Sequence, residues 1–340
     1  MLVSELREHL KHFEKDELAF LVVELYKTLP KKLRLDQDVD ALIQGAQDRM
    51  GAGKAKKAQE SPADVQALKP EIELFLANAY KQNYLAPNRS VPKQERPKWR
   101  FKVKGFIKAL QSVPSEGETG RTAADLMEKL YAMLCYGCCY YIFNTEDPFR
   151  SVGIAQTDAL DWVIAKRFAC AMDREAIKAM VQLTVAPGVD RQTLHSSLLC
   201  VLIANLKTAD AKMIALEEAK AQVQALKEKG LDVGAKKSLS GFAIYEHKER
   251  INLLTELVFR LNMALCEYEA GIYYFKVNVQ EGNREIALYL LLALLFEYGL
   301  KDEWLKAYRT AVQRGIEPRK QLQAVYEHVQ AHDALPERFW

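Results

Sequence analysis

The stretch TADAKMIALEEAKAQVQALKEK, residues 208–229, decides the fold. Leu216, Ala219, Val223 and Leu226 fall at a and d spacing, so one narrow apolar seam runs along a segment whose other positions are charged or small. Thr208 stands where a helix cap is wanted, and Gly230 where a helix is expected to stop. After the loop LDVGAKKSLSG, residues 231–241, a second long helical pattern occupies 245–269. Two arms of about 20 residues, each about 30 Å long, predict an antiparallel helical hairpin near 208–270.

The same punctuation recurs on both sides of the hairpin. Towards the N-terminus, Ser4 precedes Leu6, Leu10 and Phe13, Asp16 precedes Phe20 and Val23, and a third pattern near 38–50 ends at Gly51. Ser61 and Pro62 suit the N-cap and first position of a helix running towards Tyr84, with Pro70 predicted to interrupt it. Thr122 with Asp125 resembles a capping box, and Thr157, Asp173 and Asp190 offer further caps. Towards the C-terminus, helices are predicted near 283–298, 302–314 and 318–332. The best strand candidate is IYYFKVNV, residues 272–279, which has no obvious partner and reads as helix continuation or an isolated extended piece. The expected fold class is therefore all-α, a multi-helix array open to solenoid-like stacking, although no repeat of fixed period is visible.

Composition divides the chain. GAGKAKKAQESP, residues 51–62, has small residues and lysines without a large apolar side chain, and is the expected linker between an N-terminal helical unit, 1–50, and a larger body, 63–340. Its GAGK is not a phosphate-binding loop, because Asp48 and Ala55 occupy the positions that need Gly and Ser or Thr. The longest apolar run, Ile286 to Phe296, is closed by Glu285 and Glu297. At about 16 Å as a helix it is too short for a hydrocarbon core of about 30 Å, so no membrane span is expected. The first residues, MLVSELREHLKHFEKDELAFLVV, carry charges too often for a secretory signal, and with six cysteines this points to reduced thiols in the cytoplasm.

Few residues carry recognisable chemistry. Tyr131, Cys135, Cys138, Cys139 and Ile142 share one stripe of a helix that is apolar nearly all round, which predicts a buried, metal-free core element. Cys170, Cys200 and Cys266 lack a neighbour at zinc-ligand spacing. His328 and His332 have the spacing of a zinc helix, but Val329 stands in place of the general-base Glu, so they read as a surface pair. His9 and His12 read as surface, and His195 lacks a GxSxG context. The acidic pairs Glu146–Asp147 and Asp158–Asp161 suit loop and first-turn positions. No catalytic residue, cofactor or metal ligand is predicted, and an enzyme ranks third among the readings.

The most unusual feature is the segment 80–108. Six Lys and three Arg against one Glu give it a balance of +8 in a chain of net charge +3, leaving the remainder at −5. From Pro97 a helix is predicted, with Trp99, Val103, Phe106 and Leu110 as an apolar seam and the cations on its flanks and far side. Such a face binds nucleic-acid phosphate, or an acidic protein or lipid surface, or merely keeps the helix solvated and pairs with acidic helices elsewhere. The leading expectation is a non-enzymatic scaffold presenting helix faces to a protein partner. The alternative is nucleic-acid binding through 81–108, with Arg89, Lys93, Arg96, Lys98, Arg100, Lys102 and Lys104 as contacts.

Overall fold

The computed structural model describes residues 9–30, 39, 63–85, 90–186, 188–234 and 241–339, the side chains of 230–234 and 241–243 excepted. Fourteen α-helices and no strand occur among the described residues, so the fold is all-α. The chain divides into two units, Met1–Ser61 and Pro62–Trp340.

In the first unit, α1 spans Lys15–Thr28. Its start is set by Glu14 rather than Asp16, because Glu17 Oε2 reaches back to accept from Glu14 N at 2.8 Å. The helices predicted from Ser4 and over 38–50, and the linker at 51–62, lie wholly or largely outside the described residues.

The second unit holds α2 (Val65–Tyr80), a 3₁₀ turn (Arg96–Lys98) leading into α3 (Trp99–Ser112), α4 (Gly117–Cys139), α5 (Pro148–Val152), α6 (Gln156–Cys170) and α7 (Arg174–Thr184). It continues with α8 (His195–Asn205), α9 (Ala209–Gly234), α10 (Gly241–Ala264), α11 (Tyr268–Asn278), α12 (Arg284–Glu297), α13 (Lys301–Gln313) and α14 (Lys320–His332). Helices α2 and α3 lie on α4, which lies on α6; α6 touches α7 and α8, α7 leads to α9, and α9 to α10, α11, α12 and α13 in turn. Each helix thus buries its apolar stripe against neighbours close in sequence, the arrangement of a multi-helix array.

Helices α9 and α10 are the two arms of the predicted hairpin. Ala211, Ala215, Ala219 and Val223 of α9 and Ile251, Leu254 and Leu257 of α10 are buried in one cluster. The helix does not stop at Gly230 but runs to Gly234. A lone glycine costs a helix about 1 kcal/mol against alanine, too little to end one carried by tertiary packing.

Other expectations need the same kind of correction. The cap of α2 is Asp64, whose Oδ1 accepts from Gln66 N at 2.9 Å, and Pro70 sits inside the helix without interrupting it. The lost hydrogen bond is offset by Ile72, Phe75, Leu76 and Ala79, all buried beyond it. Helix α4 opens at Gly117, a turn ahead of Thr122, and α6 is capped by Ala155 rather than Thr157. Asp190 closes a turn by accepting from Gln192 N at 2.8 Å, while the next helix waits until His195. Asp173 and Thr208 do cap, accepting from Ala176 N at 2.8 Å and Ala211 N at 3.1 Å. Residues 272–278 belong to helix α11, as continuation rather than strand. Gly271 lets that helix lie close to α10, since a β-carbon there would stand 2.8 Å from Met263 Cε and 2.9 Å from Asn262 Cβ.

Two apolar clusters fill the unit. One runs from Val65 to Leu261 and the other from Phe259 to Val329, so α10 contributes to both. Where they meet, Arg260 is 2% exposed and hydrogen-bonds Glu256 and Glu297.

Candidate nucleic-acid interface

Five aromatic side chains set the orientation of α3. Trp99 stacks on Phe143 at 3.8 Å with the rings 5° apart, Phe143 lies 5.4 Å from Tyr84, and Phe75 meets Phe106 edge-on at 5.6 Å. With Trp99, Val103, Phe106, Ile107 and Leu110 thus buried, the cations of α3 face outward. Arg100, Lys104 and Lys108 follow one another at four-residue steps, about 6 Å apart along the axis. Between them and Lys102 stands Phe101, 64% exposed, with the Arg100 guanidinium 4.9 Å from its ring centroid. An exposed aromatic among cations is the unusual element of this surface.

The turn before α3 is held by its own polar groups. Arg96 Nε donates to Val91 O at 3.0 Å, and Lys98 Nζ lies 2.8 Å from Glu95 Oε1. The Lys98 hydrogen bond and charge, with a smaller contribution from Lys102, hold Glu95 below the usual carboxylate range. Burial, and then the Glu95 charge, pushes Tyr84 up to about 12, so its hydroxyl keeps its proton at neutral pH.

Against this turn lies a cleft of about 640 Å³. Lys93, Arg96 and Arg100 line one side, Asn144, Thr145 and Ser151 the other, with Tyr84 and Trp99 beneath. The two walls are brought together by Gln82, whose Nε2 donates to Tyr141 O at 2.9 Å across 59 residues of chain. Among the described residues no Asp or Glu lines the cleft. The nearby carboxylates are engaged elsewhere: Glu146 accepts from Tyr141 Oη at 2.5 Å and pairs with Arg191, and Asp147 caps α5 through Arg150 N at 3.0 Å. Beyond the cleft, Lys104 Nζ lies 3.8 Å from where a β-carbon on Gly153 would stand, so the basic surface continues along α3 to the end of α5.

Of the seven predicted contacts, three share the cleft, Lys93, Arg96 and Arg100. Lys98 is turned to Glu95, Lys102 and Lys104 lie on the exposed flanks of α3, and Arg89 lies outside the described residues. The other lining residues, Asn144, Thr145 and Ser151, had no signal in the sequence, because they come from the loop before α5 and from α5 itself, about 50 residues away.

The other candidates resolve differently. Cys135 is buried, and burial pushes its thiol up to about 12; Cys138 is half-buried and its thiol is also raised, chiefly by burial. Cys139 is exposed, contrary to expectation, because α4 ends there and Tyr140 turns into extended backbone. The exposed Tyr136, Tyr140 and Tyr141 likewise show that this region is not apolar-packed on every side. A thiol whose anion is disfavoured makes a poor nucleophile or metal ligand. Among the described residues no cluster of three His, Cys, Asp or Glu side chains is placed to hold a metal. His328 and His332 stack at 4.3 Å, with His332 Nδ1 3.0 Å from the His328 carbonyl. His195 opens α8, and burial lowers its imidazole against the opposing charges of Glu249 and Glu256. Asp158 sits in the first turn of α6, and Asp161 accepts from Asn205 at 2.8 Å. No helix among the described residues is long and apolar enough to cross a membrane. No protein-family model, curated protein or solved structure matches this chain.

Proposed function

We propose that this chain is a non-enzymatic helical binding protein whose basic face takes single-stranded nucleic acid. The observation that carries the reading is the cleft in which Lys93, Arg96 and Arg100 face three neutral polar side chains with no carboxylate between them. Cations neutralise phosphates and release counterions, and Asn144 adds an amide able to hydrogen-bond phosphate or sugar, while the Thr145 and Ser151 hydroxyls donate to Asp147 O at 3.3 and 2.9 Å and make a neutral wall. Phe101, 64% exposed beside Arg100, offers a platform on which an unpaired base stacks. A duplex hides its base faces, which favours the single strand. The cytoplasm is the compartment we assign to this activity, where the six cysteines would stay free thiols.

A scaffold role with an acidic protein partner would use the same face, and one assay separates the two. In fluorescence anisotropy, a labelled oligothymidine should bind at low salt, with log K falling at about −0.7 per phosphate neutralised, or about −2 for three contacts. The Lys93→Gln/Arg100→Gln/Lys104→Gln variant should bind at least tenfold more weakly and show a flatter salt slope, its melting temperature unchanged. Phe101→Ser should weaken the oligothymidine but leave polyglutamate unaffected. Absence of oligothymidine binding at low salt overturns the proposal, and binding of polyglutamate in preference to oligothymidine favours the scaffold.

A further inference from the structure

Helices α11, α12 and α13 and the residues just after α11 and α13 border a second, open cleft of about 320 Å³. Its floor is apolar: Phe275, Leu288, Leu291 and Ala311 all line it and are all buried. At its rim stand Lys276, Arg284 and Arg314, again with no Asp or Glu among the lining residues. Arg284 Nη2 donates to the Arg314 carbonyl at 3.4 Å. Desolvation lowers the Lys276 ammonium below its ordinary value; Glu303 opposes this, while Lys306 and Arg314 add to it. Glu303 is itself shared with Lys306, 3.7 Å away. Three cations from three helix ends therefore meet at an apolar cleft whose described lining holds no carboxylate, the nearby Glu303 being shared between Lys276 and Lys306. That arrangement is unfavourable for the free protein and favourable for an anionic ligand.

We propose that this cleft binds a small amphiphilic anion, a single apolar chain ending in a carboxylate. The chain would lie on Phe275, Leu288 and Leu291, and the head between Arg284, Arg314 and Lys276. Guanidinium groups suit a carboxylate because their paired donors match its two oxygens. At about 320 Å³ the cleft lies at the small end of the range for ligand pockets, about 300–1,000 Å³, which suits a single chain of medium length. The site is built on helices that take no part in the α3 face, so it stands or falls independently of the proposed nucleic-acid activity.

The test is calorimetric titration of the full chain with decanoate below its micellar concentration, with acetate and decanol as comparisons. Decanoate should bind saturably with one site per chain. Acetate, lacking the chain, and decanol, lacking the charge, should each bind at least tenfold more weakly. The Arg284→Gln/Arg314→Gln variant changes exposed side chains only and should lose at least tenfold in decanoate affinity. If it melts early, Lys276→Gln on the neighbouring helix serves the same comparison. The Lys93→Gln/Arg100→Gln/Lys104→Gln variant should bind decanoate unchanged. No decanoate binding, equal binding of decanol, or unaltered affinity in the cleft variants overturns the proposal.

Discussion

Replacing Arg260 should destabilise the helical body through the ion-pair network that this buried side chain holds together. Its Nε donates to Glu256 at 2.8 Å and its Nη1 and Nη2 donate to the two Glu297 oxygens at 2.6 and 2.8 Å. The guanidinium also lies 5.9 Å from the Tyr298 ring centroid. Hydrogen bonds to charged groups contribute about 1.5–3 kcal/mol each, so three of them set an upper bound of about 5–9 kcal/mol. The partners reduce that figure, because the Glu297 and Glu256 side chains are 50% and 24% exposed and regain water once Arg260 is gone. Arg260→Met, which keeps the apolar stem, should therefore destabilise by about 3 kcal/mol. Glu297→Ala, which removes a half-exposed partner, should cost about 1 kcal/mol. Urea unfolding followed by circular dichroism measures both, and the double variant should show a coupling of about 1–2 kcal/mol. If Arg260→Met is neutral or stabilising, or if the two changes simply add, the network does not tie α10 to α12 as argued.

Three further outcomes follow from the geometry. Gly188 has φ +104° and a β-carbon on it would overlap the Cys135 carbonyl, so Gly188→Ala should destabilise by about 3 kcal/mol or more in the same urea assay, whereas Gly282→Ala, with open space around it, should be near neutral. Burial raises Cys135 from 9.0 to about 12, so the stability it contributes is complete below pH 9 and is lost as pH rises through about 12; unfolding midpoints should fall across that window, and less steeply in Cys135→Ala. Of the three clustered thiols, exposed Cys139 should be alkylated by iodoacetamide before Cys138, and Cys135 should react only on unfolding, which peptide mass spectrometry would read directly.

What the sequence determined by itself is the class of object and the faces of its helices. Apolar residues three and four apart define a stripe whatever the stripe later touches, so the seam of Trp99, Val103, Phe106 and Leu110, the two arms of the hairpin and the last three helices were legible from spacing alone. Caps were legible where a side chain satisfies an adjacent backbone amide, as at Asp173 and Thr208. Tertiary structure decided everything that depends on distant neighbours. Pro70 and Gly230, local signals to stop, were overridden: burial beyond Pro70 outweighs one lost hydrogen bond, and one glycine is too weak to end α9. The exposure of Cys139 depended on where α4 ends, and that end is not written in the periodicity. The basic segment announced itself by charge, but only the approach of residues 141–151 turned Lys93, Arg96 and Arg100 into one wall of a cleft. The cations around the α11–α13 cleft, spread along the chain at 276, 284 and 314, gave no local signal at all, because convergence in space requires the helices to be folded first.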